Sequence, residues 1–185
     1  MSTITLTPAS LAQIANLAAF AASDAVTPVL TGIAVSVAGG EVRAVATDRY
    51  AVARYVGQAP EFEELPQTVL PTAFLTTVAK AARGAFQVHL TVDGSTVTAD
   101  WGDGSVSASV IEGNYPPVDR LMTDHADDIP ASMTLSPTLL ARLAKLRGPG
   151  AGIKGIVNFA LSADGTNLRA DGGPYSVRIC PIRTR

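Results

Sequence analysis

Thr5-Leu6-Thr7-Pro8-Ala9-Ser10-Leu11 sets the frame for the whole chain, because it returns twice: as Val69-Leu70-Pro71-Thr72-Ala73-Phe74-Leu75 and as Thr134-Leu135-Ser136-Pro137-Thr138-Leu139-Leu140. In the first and third copies a short extended run meets Thr-Pro or Ser-Pro, where the hydroxyl can cap a helix and proline suits its first turn. The second copy keeps the proline and shifts the cap. Each start predicts one helix, over 9–23, 72–83 and 138–147, with Leu139, Leu143 and Leu146 on one stripe of the last. Beyond every helix the apolar period drops to two. Copy one reads as strands Gly32–Val37, Val42–Ala46 and Tyr50–Val56 with a turn at Gly39-Gly40. Copy two gives Phe86–Val92, Thr96–Asp100 and Val106–Ile111 around Asp93-Gly94, and copy three gives Val157–Ser162, Asn167–Ala170 and Tyr175–Ile182 around Asp164-Gly165. The chain is therefore an α+β protein of three β-α-β-β-β units. Short strands need their edges paired, so the units are expected to share continuous sheets. Asn114–Pro130, rich in Pro and Asp, reads as a connector between domains, and Gly148–Gly152 reads as a loop after the third helix. No Gly-Lys-Ser/Thr follows those glycines, which favours loop chemistry over a phosphate cradle.

Composition narrows the function. With 185 residues, 47% hydrophobic, 16% charged and a net charge of −2, the chain can build a sizeable core and is neither disordered nor a generally basic nucleic-acid coat. Cys180 is the single cysteine and cannot close an internal disulfide; with His89 and His125 as the two histidines, no zinc cluster is available. A reducing, cytoplasmic setting is expected. The first 23 residues are uncharged but lack a basic leader, and Pro8, Gln13 and Asn16 interrupt the apolar run, so they read as an Ala-rich amphipathic helix rather than an export signal. No stretch approaches the ~20 apolar residues of a membrane span. There is no Ser/His/Asp or Cys/His arrangement at plausible spacing, and no cofactor signature. Asp127-Asp128 and Glu63-Glu64 read as solvated loop charges, and His89 as a strand residue. Cys180 has Arg178 and Arg183 nearby in sequence, but its place in a terminal strand favours packing over reactivity.

Three blocks carry a family resemblance: Ala46-Thr47-Asp48-Arg49-Tyr50-Ala51-Val52-Ala53, Val110-Ile111-Glu112-Gly113-Asn114-Tyr115-Pro116, and Cys180-Pro181-Ile182-Arg183. In this order they resemble the bacterial DNA polymerase III beta sliding clamp. The first two blocks are similar to that family's second domain and the third to the second half of its last. The resemblance implies the DNA-clamp fold, with residues 1–122 as one complete domain (units of about 1–60 and 66–121) and 131–185 as half of another. Two departures stand out: Asp48 runs directly into Arg49, without the two residues the family usually places between them, and Arg178 occupies a position that tends to be apolar.

The resemblance further implies a ring whose helices line a hole around duplex DNA, whose sheets form the wall, and whose surface pocket holds short linear motifs of a polymerase and other replication proteins, with a clamp loader as a further partner. It implies no catalytic centre and no metal or cofactor. Carried over by position, the pocket comprises Leu30, Thr47, Arg49, Tyr50, Pro116, Arg120 and Leu121, together with Pro181, Ile182 and Arg183. Charge points to a DNA side: residues 131–185 hold eight basic residues against Asp164 and Asp171, net +6, leaving −8 for residues 1–130. Arg142 and Lys145 are expected to point away from the leucine stripe of the third helix, Lys80 and Arg83 repeat their spacing on the second, and Arg147 and Lys154 follow. The first helix offers Gln13 and Asn16. Clamps of this fold close with twelve units, so a chain of three implies a homotetramer, in which third units complete each other and first units meet at the remaining junction. Arginines outnumber lysines 11 to 3, consistent with a GC-rich source, and the short chain with a phage-type version. The rival reading is a clamp-like decoy that binds a host clamp or its partners without encircling DNA.

Overall fold

The computed structural model describes residues 1–24, 26–118, 122, 135–146, 158–161 and 168–181. Strand β1 (Ser2–Leu6) runs into α1 (Pro8–Asn16), where the Thr7 Oγ1 accepts the Ser10 amide at 3.1 Å and Pro8 takes the first turn. The helix is shorter than expected because it tightens into a 3-10 turn at Leu17–Phe20. Three residues per turn put Leu17 and Phe20, both 0% exposed, on one line into the core, which an α-helix would splay. Three strands follow: β2 (Gly32–Ala38), β3 (Glu41–Thr47) and β4 (Ala51–Gln58). The second unit repeats the order as β5 (Leu65–Pro71), α2 (Thr72–Ala81) with a 3-10 turn at Ala82–Gly84, β6 (Val88–Asp93), β7 (Thr96–Asp100) and β8 (Ser105–Ser109). The third has α3 (Pro137–Leu143), β9 (Asn158–Leu161), β10 (Leu168–Gly172) and β11 (Tyr175–Ile179). Of its expected leading strand, Thr134 lies outside the described residues and Leu135 is in no strand.

Units one and two exchange their first strands. β1 joins β6 and β5 joins β2, each antiparallel, so neither unit closes its sheet alone. The result is a four-stranded sheet, β1-β6-β7-β8, and a seven-stranded sheet, β5-β2-β3-β4-β11-β10-β9. The longer sheet carries the third unit as a direct continuation of the first, through antiparallel pairing of β4 and β11 from Tyr55↔Tyr175 to Ala51↔Ile179. This corrects the expectation that first units meet between copies. A strand has two edges, and those of β4 are taken by β3 and β11. Among the described residues, β8, the last strand of unit two, ends the four-stranded sheet, while β5 and β9 end the longer one.

Period-two alternation divides the seven-stranded sheet into two faces. Ile33, Val35, Val42, Ala44, Ala46, Ala51, Ala53, Tyr55, Val177 and Ile179 share a core with Leu11 and Ile14 of α1, Phe74, Leu75 and Val78 of α2, and Leu139 of α3. The intervening Ala34, Val45, Val52 and Val69 are covered by a second, smaller cluster of Leu30, Tyr115, Val118 and Met122. Polar ties brace the junction of units one and three. The Tyr175 hydroxyl donates to the Gln13 carbonyl at 3.1 Å, its ring lies 6.0 Å from that of Tyr55, and the Val56 amide donates to the Pro174 carbonyl. Burial, partly opposed by a hydrogen bond to Asn16, pushes the Tyr175 phenol up to about 12.

Candidate functional site

A cavity of about 460 Å³ opens where the first unit meets the third, lined by Asp48, Tyr50, Ser136, Thr138, Leu139, Arg142, Cys180 and Pro181. Its first wall is the β3–β4 connection. Thr47 Oγ1 donates to the Ala51 carbonyl at 2.8 Å and accepts the Arg49 amide at 3.1 Å, while Asp48 Oδ1 accepts the amides of Tyr50 and Ala51 at 3.0 and 2.9 Å. These bonds hold Arg49 at a φ of 80°, a left-handed conformation unusual for a residue with a Cβ. The turn is closed directly on Asp48-Arg49, which is how the chain dispenses with two extra residues. It leaves the Tyr50 ring 64% exposed at the cavity mouth.

The opposite wall comes from α3 and the segment after β11. The Cys180 amide donates to the Tyr50 carbonyl at 2.9 Å and so anchors Pro181 across from the turn. Arg142 Nη1 donates to Asp48 Oδ2 at 2.5 Å, with the carboxylate side chain 12% exposed and the guanidinium 25%, so a charge-assisted bond ties the two walls. Asp48 also repels a thiolate: burial first, and then this carboxylate, pushes the Cys180 thiol up.

The placement of the expected pocket residues divides. Tyr50 and Pro181 line the groove. Thr47, 3% exposed, locks the turn behind it, and Leu30, 2% exposed, lies in the smaller core. Arg49 is exposed on the same turn and reaches Asp24 at 3.4 Å. Pro116 is exposed beside Tyr115, whose buried phenol is pushed well above its usual range by desolvation. Arg120, Leu121, Ile182 and Arg183 lie outside the described residues.

The basic set divides as well. Lys80 and Arg83 are exposed at the end of α2 and in the 3-10 turn after it, and Lys145 is exposed just beyond α3. Arg147 and Lys154 lie outside the described residues. Arg142 does not point away from the leucine stripe. Three residues beyond Leu139 is about 60° short of a full turn, so Arg142 sits on the shoulder of that stripe and reaches Asp48. Gln13, expected outward on the first helix, is 7% exposed because β11 reaches α1 at that point. The surplus charge of the last third is also partly spent in the sheet: Arg178 is 2% exposed, opposite Arg169, and Arg169 pairs with Asp171.

Sequence reasoning missed Asp48, Ser136, Thr138, Leu139 and Arg142 as groove residues. The angular position of Arg142 could have been read from the helix, but its partner lies 94 residues away and nothing local signals it. Among the described residues, no group of three His, Cys, Asp or Glu side chains could hold a metal ion, and no helix is long and apolar enough to cross a membrane.

Comparison of the sequence with curated proteins gives no match. Among solved structures, the chain is similar to the DNA polymerase III beta subunit of Thermotoga maritima, with a TM-score of 0.79, 12% identity, and 100% of this chain aligned to 65% of that one. It is also similar to the Borrelia burgdorferi subunit (TM-score 0.78, 13% identity, 99% and 64% covered) and to the Bacillus subtilis DNA polymerase sliding clamp (0.78, 15%, 99% and 64%). The chain thus spans a little under two thirds of the length of these structures, and at such identity the likeness is one of fold. Sequence evidence comes from a family model: residues 5–117 match the DNA polymerase III beta subunit, central domain. That stretch holds both strand-exchanged units and the Asp48-Arg49 turn, and on it the chain belongs to the DNA polymerase III beta subunit family, with the sliding-clamp fold running through its third unit as well.

Proposed function

We propose that this chain is a DNA sliding clamp: four copies close into a ring around duplex DNA, and the groove between units one and three tethers a polymerase and other replication proteins by short linear motifs. The observation that carries the reading is the β4–β11 ladder, which extends one sheet from a complete pair of units into an unpaired third. A sheet that grows end to end in this way builds a curved wall, with α1, α2 and α3 on its inner side. Lys80, Arg83 and Lys145, exposed at or just beyond helix ends, supply the positive lining, and Arg147 and Lys154 are assigned to it by their place in the third unit. Phosphate contacts of this kind carry no sequence information, which suits a protein that must slide. Residues 1–122 serve as a complete domain and 131–185 as half of one, the second half coming from another copy.

The groove has the chemistry of a motif pocket: an apolar floor at Leu139 and Pro181, an exposed tyrosine, and a polar rim at Asp48 and Arg142. Arg49, Pro116, Arg120, Leu121, Ile182 and Arg183 belong to its rim in this reading, with Leu30 and Thr47 supporting it from behind. The Borrelia burgdorferi subunit was solved in complex with a natural product and a Pseudomonas aeruginosa clamp bound to griselimycin, which supports a ligand-taking surface on this fold. The protein works without chemistry or cofactor, acts with a loader that opens the ring, and resides where replication occurs, in the cytoplasm. Retention on DNA tests the reading. The protein is expected to stay on nicked circular DNA through a high-salt wash and to be lost when the circle is linearised. Equal retention on both forms overturns the ring and leaves the decoy reading.

A further inference from the structure

The free edge of β8 has a defined chemistry. Its hairpin with β7 closes through the Trp101 amide on the Gly104 carbonyl at 3.1 Å, and the Val110 amide reaches the Ser95 carbonyl at 2.8 Å beyond the other end. Hydrogen-bonded pairs alternate along an antiparallel ladder, so Ala99↔Val106 and Val97↔Ala108 exchange bonds while Asp100↔Ser105, Thr98↔Ser107 and Thr96↔Ser109 do not. The amides and carbonyls of Ser105, Ser107 and Ser109 therefore point away from β7. Among the described residues no strand pairs with them, and the outward row ends where the Ile111 amide, just beyond β8, donates to the Val69 carbonyl of β5 at 2.8 Å. The edge also lacks the usual protections: Ser-Val-Ser-Ala-Ser contains no proline, no charge and no bulge. The opposite edge of the same sheet is covered, because β1 is met by the Glu61–Glu63 segment through Thr5 N to Glu61 O at 2.8 Å and Glu63 N to Thr3 O at 2.9 Å.

β4 shows what such an edge takes. It is the last strand of unit one, as β8 is of unit two, and it pairs antiparallel with β11, the last strand of unit three. We infer that β8 pairs antiparallel with β8 of a second copy across a two-fold axis at Ser107. In that register each outward amide meets a carbonyl: Ser107 faces Ser107 of the other copy, and Ser105 faces Ser109. An uncharged strand can meet itself without repulsion. The outer face is already prepared, since a row of hydroxyls runs Thr3, Thr91, Thr98, Ser107 across the sheet, with Thr3 and Thr91 3.1 Å apart and Thr98 and Ser107 2.8 Å apart. Self-pairing continues that row into the second copy.

This contact deepens the ring reading and rests on it for the number of copies. With second units meeting at β8 and third units completing each other, domains follow one another without a gap until four chains have closed. The edge itself is testable without DNA, so its failure and that of the DNA reading are separable. Residues facing each other across such a ladder have Cα atoms about 5.5 Å apart, within disulfide range. Full-length Ser107→Cys is expected to form an intermolecular disulfide on mild oxidation, at least about tenfold more than Ser105→Cys, whose thiols would lie far apart. The double variant Ser105→Cys/Ser109→Cys is expected to cross-link as well as Ser107→Cys. Wild-type protein, carrying Cys180, gives the background, and mass mapping identifies the bonded residues. Ser107→Pro removes an outward amide that β7 does not use, so it should keep the circular dichroism of the fold and halve the mass from four copies to two. Cross-linking of Ser107→Cys at the wild-type level, equal cross-linking of Ser105→Cys, or an unchanged mass for a folded Ser107→Pro overturns the inference.

Discussion

Val177→Asp is expected to separate the third unit from the other two while leaving them folded. Val177 is 1% exposed, faces Ala53 across the β4–β11 ladder and packs in the core shared with the helices. A carboxyl group placed there is buried in that largely apolar cluster and costs about 3–5 kcal/mol, enough to melt a short unit held on one edge. Units one and two close their sheets by exchanging β1 and β5 and do not need β11. Limited proteolysis should accordingly release a resistant core spanning about residues 1–122, and denaturant unfolding should split into two transitions. Ser176→Asp, one residue away but on the opposite face beside Arg54 and Arg178, is expected to keep the third unit attached. A single transition for Val177→Asp would show that the three units fold as one.

The repeat was legible because its signals are local. Thr7-Pro8 caps a helix by chemistry confined to four residues, and glycine turns at Gly39-Gly40 and Asp93-Gly94 separate runs whose alternation survives in the observed strands. The exchange of first strands was not legible: Thr5 looks the same in sequence whether β1 pairs within its unit or, as found, with β6 at His89. The same limit explains β11. Its alternation predicts a strand, but which edge it joins depends on the shape of a sheet built from residues more than a hundred positions away. Charge misled for a related reason. Arg142, Arg169 and Arg178 add to a net count without regard to whether Asp48, Asp171 or the sheet interior holds them.

That difference sets the second large effect. Lys80→Gln/Arg83→Gln is expected to weaken DNA association uniformly across sequences and to lower the salt slope, by roughly 0.9 for each phosphate no longer neutralised and hence by several units in a ring of four copies. Both side chains are exposed at the end of the second helix and its 3-10 extension, so stability should hold within about 0.5 kcal/mol. Arg142→Gln should leave the slope where it was, because the guanidinium is spent on Asp48. Binding titrations across a range of salt distinguish the two, and an unchanged slope for the Lys80/Arg83 variant would remove α2 from the DNA side.

In the proposed ring each copy supplies three of twelve units. Light scattering of the purified protein at micromolar concentration measures that number directly: a mass near four times 19.0 kDa is expected, and a stable monomer or dimer would rule the ring of four out.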